Sequence, residues 1–499
     1  MLLSTIDIAI VIIYIFLIFS IAIGANTYMR KHFQQFRRKG PKAIENQYLA
    51  GKTITFWEAL LSIIATEFSA LAFLTIPTYV YFENMSYMRF VIGACISRAL
   101  IAFYFLPRVY GRGLTIFEVL ARGIHNYPSL IKEGIQGKKT FATLYVFTKI
   151  IGVSIKLLGG AILMAEFFNT GVFVMLVMIA FMTYLYIILG GLKAVVRTDM
   201  IQAGIFILGG LAAHFIVGKM SSLSWGELFA FGWENGKFSL FSSASEGLAF
   251  LYGILAGIAY DAATHGVDQD LTQKLFGAQN IRTARKALAW SALGSFIVNL
   301  IFLSLGVILW AYYTKHGQPL PEPSKLFSSL IENYFPSPIK GLMVASILAA
   351  CMSTLDSSIN ALSACLWNDI MNVDKSKMFQ LYIYLDNFII TIAIIVVANI
   401  FTYIPGGSKF GMHFSYLSTA PLLAYFICRM LLSKYIKITY SRSLIYLCFL
   451  FCFLGMGINH FRFGFNPQLT IIWGIVFTII AMWTYSKVNT LLNSSEKKI

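Results

Sequence analysis

The sequence predicts an all-α polytopic membrane protein of about 13 transmembrane helices, as three observations show, and two interrupted spans described below add a five-plus-five inverted repeat. Of 499 residues, 58% are hydrophobic and only 12% charged, where a soluble domain carries about 25% charged residues. The apolar residues fall into successive runs, each near the roughly 20 residues that cross a bilayer. Lys and Arg gather in the short stretches between those runs, the distribution that orients membrane helices. The net charge of +17 is therefore read as topology, and no nucleic-acid partner is expected.

A first transmembrane helix is expected within residues 1–30, with its apolar run at 5–29. It lacks the basic flank and cleavage site of a removable signal. A basic loop at 31–53 follows, bearing Lys31, Arg37, Arg38, Lys39 and Lys42. The positive-inside rule places that loop in the cytoplasm and the N-terminus outside. Residues 54–217 form the first five-helix repeat, with spans near 54–82, 88–110, 140–168, 172–189 and 200–217. Arg108, Arg112, Arg122, Lys132, Lys138 and Lys139, and later Lys193 and Arg197, mark its cytoplasmic turns.

Residues 218–246 have few cations and several aromatics, as an external loop would. Residues 247–432 form the second repeat, with spans starting near 248 and then near 289–313, 341–365, 378–401 and 412–432. Pro319, Pro321, Pro323, Pro336 and Pro338 make the stretch before the third of these turn-rich. Two C-terminal helices lie within 433–485, and 486–499 is a short cytoplasmic tail. Lys375, Lys377, Arg429, Lys434, Lys437, Arg442, Lys487, Lys497 and Lys498 keep the charge bias on one side. The expected location is the cell (plasma or inner) membrane, with the C-terminus cytoplasmic and no obligatory protein partner. All six cysteines fall in apolar runs without metal-ligand spacing, so neither a disulfide framework nor a zinc site is expected.

The first span of each repeat is the interrupted one. Residues 62–77 read SIIATEFSALAFLTIP, with Glu67, Thr66, Ser62, Ser69 and Pro77 inside an apolar run. A charge at the bilayer centre costs roughly 2.5–3.5 kcal/mol on insertion scales, so such a residue faces a protein interior or a watery cavity. The corresponding span of the second half carries Gly253, Gly257, Asp261, His265 and Gly266. Interrupted helices at matching positions of two halves point to a solute site near the midplane.

Several stretches then resemble the sodium/solute symporter family, which uses the LeuT-type inverted-repeat fold. They are Tyr48 to Lys52 (YLAGK), residues 62–77, Thr115 to Arg122 (TIFEVLAR), and Gly190 to Asp199 (GGLKAVVRTD) with Gln202. Asp268-Gln269 with Gln273-Lys274, and Ala349 to Ser357 (AACMSTLDS), complete the match across most of the five-plus-five core. The resemblance implies Na+ as the coupling ion, held by the carbonyls of Ala65, Phe68 and Ala350 and the hydroxyls of Ser353 and Thr354. Ala350, Ser353 and Thr354 share one helical face by their i, i+3, i+4 spacing.

A candidate second ion site comprises Asp199, Ser353, Asp356 and Ser357. Here the chain departs from the family, because Asp356 stands where members with a second sodium have a serine. Arg197 also replaces an aromatic residue common before the Thr-Asp pair. A second sodium, a proton, or an ion pair of these acids with Arg197 or Lys193 all stay open.

Candidate substrate-binding residues near the midplane are Glu67, Ser69, Lys149, Lys156, Asp261, Thr264 and His265. Lys149 and Lys156 are seven apart, on one face of their helix, although Lys149 also suits an interfacial position. Asp261 and His265 are i, i+4 neighbours able to pair. This mixture suits a small polar solute such as a sugar, sugar acid or other carboxylate. The expected function is a sodium-coupled symporter working by alternating access. The alternatives are a proton-coupled or uncoupled carrier of the same fold and a transporter-like membrane sensor. No HExxH, GxSxG or P-loop pattern supports an enzyme.

Overall fold

The computed structural model describes residues 3–32, 41–122, 131–221, 223–241, 247–317, 326–371, 380–404, 419–428, 442–463 and 467–496. Of the sequence expectations, Arg37, Arg38, Lys39, Pro319, Pro321, Pro323, Lys375, Lys377, Arg429, Lys434, Lys437, Lys497 and Lys498 lie outside these, as do parts of the expected 412–432 span.

The described chain is helical throughout, apart from one isolated bridge between Ile54 and Ala278. In order, the helices are α1 (Thr5–His32), α2 (Pro41–Leu49), α3 (Phe56–Glu67), α4 (Ala70–Phe82), α5 (Met88–Leu100), α6 (Leu106–Val109), α7 (Ile116–Arg122), α8 (Ile131–Phe168), α9 (Val172–Met220) and α10 (Trp225–Glu234). Then come α11 (Gly247–Asp261), α12 (Gln269–Phe276), α13 (Ile281–Lys315), α14 (Leu326–Tyr334), α15 (Ile339–Cys365), α16 (Gln380–Thr402), α17 (Thr419–Cys428), α18 (Arg442–Phe463) and α19 (Pro467–Glu496).

Eight of the described helices are long and apolar enough to cross a membrane, and the bent pair α3–α4 makes a ninth. At 1.5 Å per residue the 49 residues of α9 would run about 74 Å, more than twice a hydrocarbon core of about 30 Å. It breaks at Gly191, whose φ of 55° and ψ of −146° leave the helical region. A Cβ there would also lie 2.7 Å from the Gln47 carbonyl oxygen, so glycine serves both the turn and the close approach. α9 covers two of the expected spans, and α11, α17 and α18 lie where three further spans are expected.

Four stretches read as loops or turns contain short helices, α7 after the 88–110 span and α14 before the 341–365 span among them. The expected loop at 31–53 holds α2. The expected loop at 218–246 holds α10, which begins at a capping box: Ser224 accepts from Glu227 N–H while the Glu227 carboxylate accepts from Ser224 N–H. All four are short, so none produces a membrane-length apolar run.

Two broken spans organise the interior. The first, α3–α4, bends by 64° between Glu67 and Ala70. The second runs from α11 through a π-helical turn at Ala262–Val267 into α12. Ile54 N–H donates to Gly277 O (3.2 Å) and Gln279 N–H to Ile54 O (3.0 Å), tying the start of α3 to the end of α12. The first break is packed between α13 and α9, with the buried Phe68 ring stacked on Phe206 and Phe206 against Phe302. The second break's helix, α11, lies against α5 at a crossing that has no room for side chains. A Cβ on Gly257 would fall 2.1 Å from Phe90 O, and one on Gly93 2.1 Å from Ile254 O. Helix α15 runs through the centre, with 94% of its apolar window buried. It packs on α9, α8, α1 and α3.

Candidate functional site

The break after α3 exposes backbone that a continuous helix would satisfy. Phe68 is extended (φ −91°, ψ 102°) and so is Ser69 (φ −85°, ψ 167°). Ser69 caps α4 by accepting from Ala72 N–H at 3.4 Å. That is the donor an unbroken helix would direct to the Phe68 carbonyl, four residues earlier. The Ala65 carbonyl likewise loses the Ser69 N–H. It accepts instead from the Ser353 hydroxyl on α15, 3.0 Å away.

Around this point the oxygens of Ala350, Ser353 and Thr354 gather. Ser353 Oγ is 3.4 Å from Ala350 O, and Thr354 Oγ1 is 3.1 Å from it. Oxygens coordinated at about 2.4 Å and at right angles lie about 3.4 Å apart, so neighbours around a small hard cation have this spacing. Ala65, Phe68, Ala350, Ser353 and Thr354 are all buried. The set is neutral, made of carbonyls and hydroxyls from a broken helix and its partner, which suits a monovalent ion.

One helical turn further along α15, the residues of the candidate second ion site join a buried polar network. Tyr186 O–H donates to Asp356 Oδ2 (2.5 Å) and Ser357 O–H to Asp356 Oδ1 (3.0 Å). Thr66 and Ser357 hydroxyls are 3.2 Å apart. Asp199 Oδ2 accepts from Ser62 O–H (2.5 Å) and from Lys274 Nζ (2.8 Å). Lys274 Nζ also donates to the Ser62 carbonyl (3.2 Å) and to the Thr66 hydroxyl. The ion-pair alternative thus takes a different form: Lys193 Nζ and Arg197 Nε pair with Glu58, at 2.7 and 3.2 Å, and Lys274 pairs with Asp199. Glu58 opens α3, in reach of the turn that follows Gly191, and sequence distance hides that proximity.

The substrate candidates separate into three places. Ser69 and Lys156 line a tight cavity, too narrow here to admit a water molecule, together with Cys351 and with Ala350 and Thr354 of the ion constellation. Among the described residues, none hydrogen-bonds or ion-pairs with Lys156. Lys149 is elsewhere, between Asp268 (2.6 Å) and Asp270 (2.8 Å) at the start of α12. It is buried and doubly paired, so it does not snorkel. Glu67, Asp261 and His265 form a third group around Arg98 of α5, and Thr264 adjoins it through His265 Nδ1 at 3.2 Å.

Arg98 and Lys274 are the residues that sequence reasoning passed over. Arg98 had a signal: it interrupts the apolar run FVIGACISRALIAFYF, where a charge needs a partner. Lys274 reads in sequence as part of a motif and of a basic patch; its burial depends on the fold bringing α12 against α3 and α9.

The sodium:solute symporter family model matches residues 47–439. The chain belongs to that family. It is 24% identical over 351 residues to the sodium/sialic acid symporter NanT of Aliivibrio fischeri, covering 66% of this chain and 65% of that one. The sodium/sialic acid symporter SiaT of Proteus mirabilis matches at 24% over 351 residues, 66% of each. The sodium/glucose cotransporter of Vibrio parahaemolyticus matches at 26% over 404 residues, 74% of this chain and 69% of that one. The alignments span about two thirds of the two sialic acid symporters' length. Among solved structures, a Na+-coupled sialic acid symporter in a substrate-bound outward-open state superposes with a TM-score of 0.79 at 17% identity, over 97% of this chain and 98% of that one. Mhp1, a nucleobase-cation-symport-1 family transporter, superposes at 0.52 with 10% identity, over 89% and 93%. The fold of this family member is thus the LeuT-type five-plus-five arrangement.

Proposed function

We propose that this family member is a sodium-coupled symporter that takes up a small polar solute carrying a carboxylate, by alternating access. The observation that carries the reading is the adjacency of two features. The oxygens of Ala65, Ala350, Ser353 and Thr354 gather at the α3–α4 break, and Ala350 and Thr354 also line the cavity that holds Ser69 and Lys156. An ion at the break orders one wall of the solute cavity, and the solute's occupancy holds that wall closed on the ion. Lys156, with which no described residue forms an ion pair, supplies the charge that a carboxylate would meet.

The matched relatives support an acid among the solutes, since sialic acid symporters and the human sodium-coupled monocarboxylate transporter 2 (25% identical over 350 residues) are among them. Sodium moving inward down 100 mV contributes about 2.3 kcal/mol per charge before its concentration gradient is added. Rocking of one helix group against the other then carries ion and solute across. The same reading places the chain in the cell membrane with the N-terminus outside and the C-terminus cytoplasmic, as the distribution of Lys and Arg requires. Tags at each end, probed by a membrane-impermeant label, test that orientation.

A thermal-shift screen of the purified chain tests the function. Monocarboxylates, sugar acids, neutral sugars and amino acids are compared with sodium and with potassium present. Stabilisation by a carboxylate only when sodium is present is the expected result. Stabilisation that is the same in potassium, or confined to neutral sugars, contradicts it.

A further inference from the structure

Glu67 stands between Ala65 and Phe68, yet its carboxylate is absent from the cavity lining. It points to Arg98, whose Nη2 lies 2.6 Å from Glu67 Oε1. The Arg98 side chain is 1% exposed and Glu67's 22%. The rest of the guanidinium is engaged as well. Nε lies 3.0 Å from Asp261 Oδ1, and Nη1 donates to the Ser291 carbonyl (2.9 Å) and to Ser295 Oγ (2.6 Å). Ser295 O–H in turn donates to Glu67 Oε2. His265 Nδ1 approaches Asp261 Oδ1 to 2.9 Å. One fork therefore ties together the end of α3, the last turn of α5, the end of α11 and the face of α13.

A buried arginine is costly unless it is fully paired, and neither the ion constellation nor the cavity uses it. The break needs something of this kind. Phe68 N–H still donates to Ile64 O at 3.4 Å, but the carbonyls from Ala65 to Phe68 stand at the end of α3, where no helical donor orients them. Fixing the residue between two ligands is what outer partners do at metal sites, where their loss weakens binding about 10- to 100-fold.

We infer that Arg98 is a positioning residue for the sodium site: gripping Glu67 together with Ser295, it holds the Ala65 and Phe68 carbonyls where the ion needs them. It also makes α3, α5, α11 and α13 one body. The inference rests on the sodium reading above.

The test measures equilibrium binding of radiolabelled sodium to the purified full chain, with no solute present. Wild type, Glu67→Gln, Ser295→Ala and Arg98→Met are compared, and thermal unfolding without sodium confirms that each variant is folded. Glu67→Gln is expected to weaken sodium binding about tenfold, the low end for loss of an outer partner. Ser295→Ala is expected to weaken it about threefold, as one modest hydrogen bond would. Should Arg98→Met fail to fold, those two variants decide. An unchanged sodium Kd in folded Glu67→Gln overturns the inference. Absence of saturable sodium binding in the wild type overturns the sodium reading itself, so the two failures are told apart by the wild-type arm.

Discussion

The Ser353 hydroxyl on α15 donates to the Ala65 carbonyl at the end of α3 across 3.0 Å. This bond joins residues 288 positions apart and closes the gap that an unwound helix leaves. In a continuous helix the Ala65 carbonyl would accept from Ser69, which here caps α4 instead. A hydroxyl that satisfies a freed carbonyl can turn its proton away and offer a lone pair, so that a cation between the two oxygens takes the proton's place. The bond thus marks where α3 and α15 share a ligand.

Lys156 is assigned to the solute. Lys156→Met is expected to raise the half-saturating concentration of a carboxylate solute by about 10- to 100-fold, the range for a charge-assisted hydrogen bond. Lys156→Arg should recover part of that loss. Uptake assays on the carboxylate found by thermal shift measure it, and sodium Kd should not move in either variant.

Lys274 neutralises Asp199 inside the protein. Both side chains are fully buried at 2.8 Å. Removing one partner of a buried pair costs about 3–5 kcal/mol, because the other charge is left without a partner. Lys274→Met should therefore lower the unfolding temperature strongly, and adding Asp199→Asn should restore most of it. Thermal unfolding of the purified variants measures both. A double variant no more stable than Lys274→Met would show that the lysine acts through the Thr66 and Ser62 contacts instead.

The crossing of α5 and α11 depends on bare backbone. Gly257→Ala places a methyl 2.1 Å from the Phe90 carbonyl oxygen, so the helices must separate. Overpacking of this kind costs about 1–3 kcal/mol or more. Gly204→Ala in α9, where nothing lies within 4 Å of the added carbon, should be neutral. Size-exclusion profiles and unfolding temperatures distinguish the two.

Much of the fold was legible because hydrocarbon imposes simple lengths. The 58% hydrophobic content, the Lys and Arg between runs, and the paired interruptions at Glu67–Ser69 and Asp261–Gly266 marked spans and repeat without reference to tertiary structure. The proposed backbone ligands Ala65, Phe68 and Ala350 carry no side-chain signal, and come into view only through the resemblance of the surrounding motifs.

Pairings across helices were not legible. Glu67 looked like a solute ligand because its partner Arg98 is 31 positions away on a different span. Lys149 looked available for the same reason, although Asp268 and Asp270 neutralise it. Composition shows that a buried charge needs a partner, but only packing shows which one. Lys156, which has no such partner among the described residues, is the candidate that this sorting leaves beside the ion.

Binding of radiolabelled sodium to the purified chain and to Ser353→Ala tests the central claim most directly, since it needs no knowledge of the solute. The expected result is saturable binding by the wild type that falls at least about tenfold in Ser353→Ala, comparable to losses seen around metal ligands, while the variant stays folded. Equal binding by both proteins would contradict an ion held between Ala65 and Ser353.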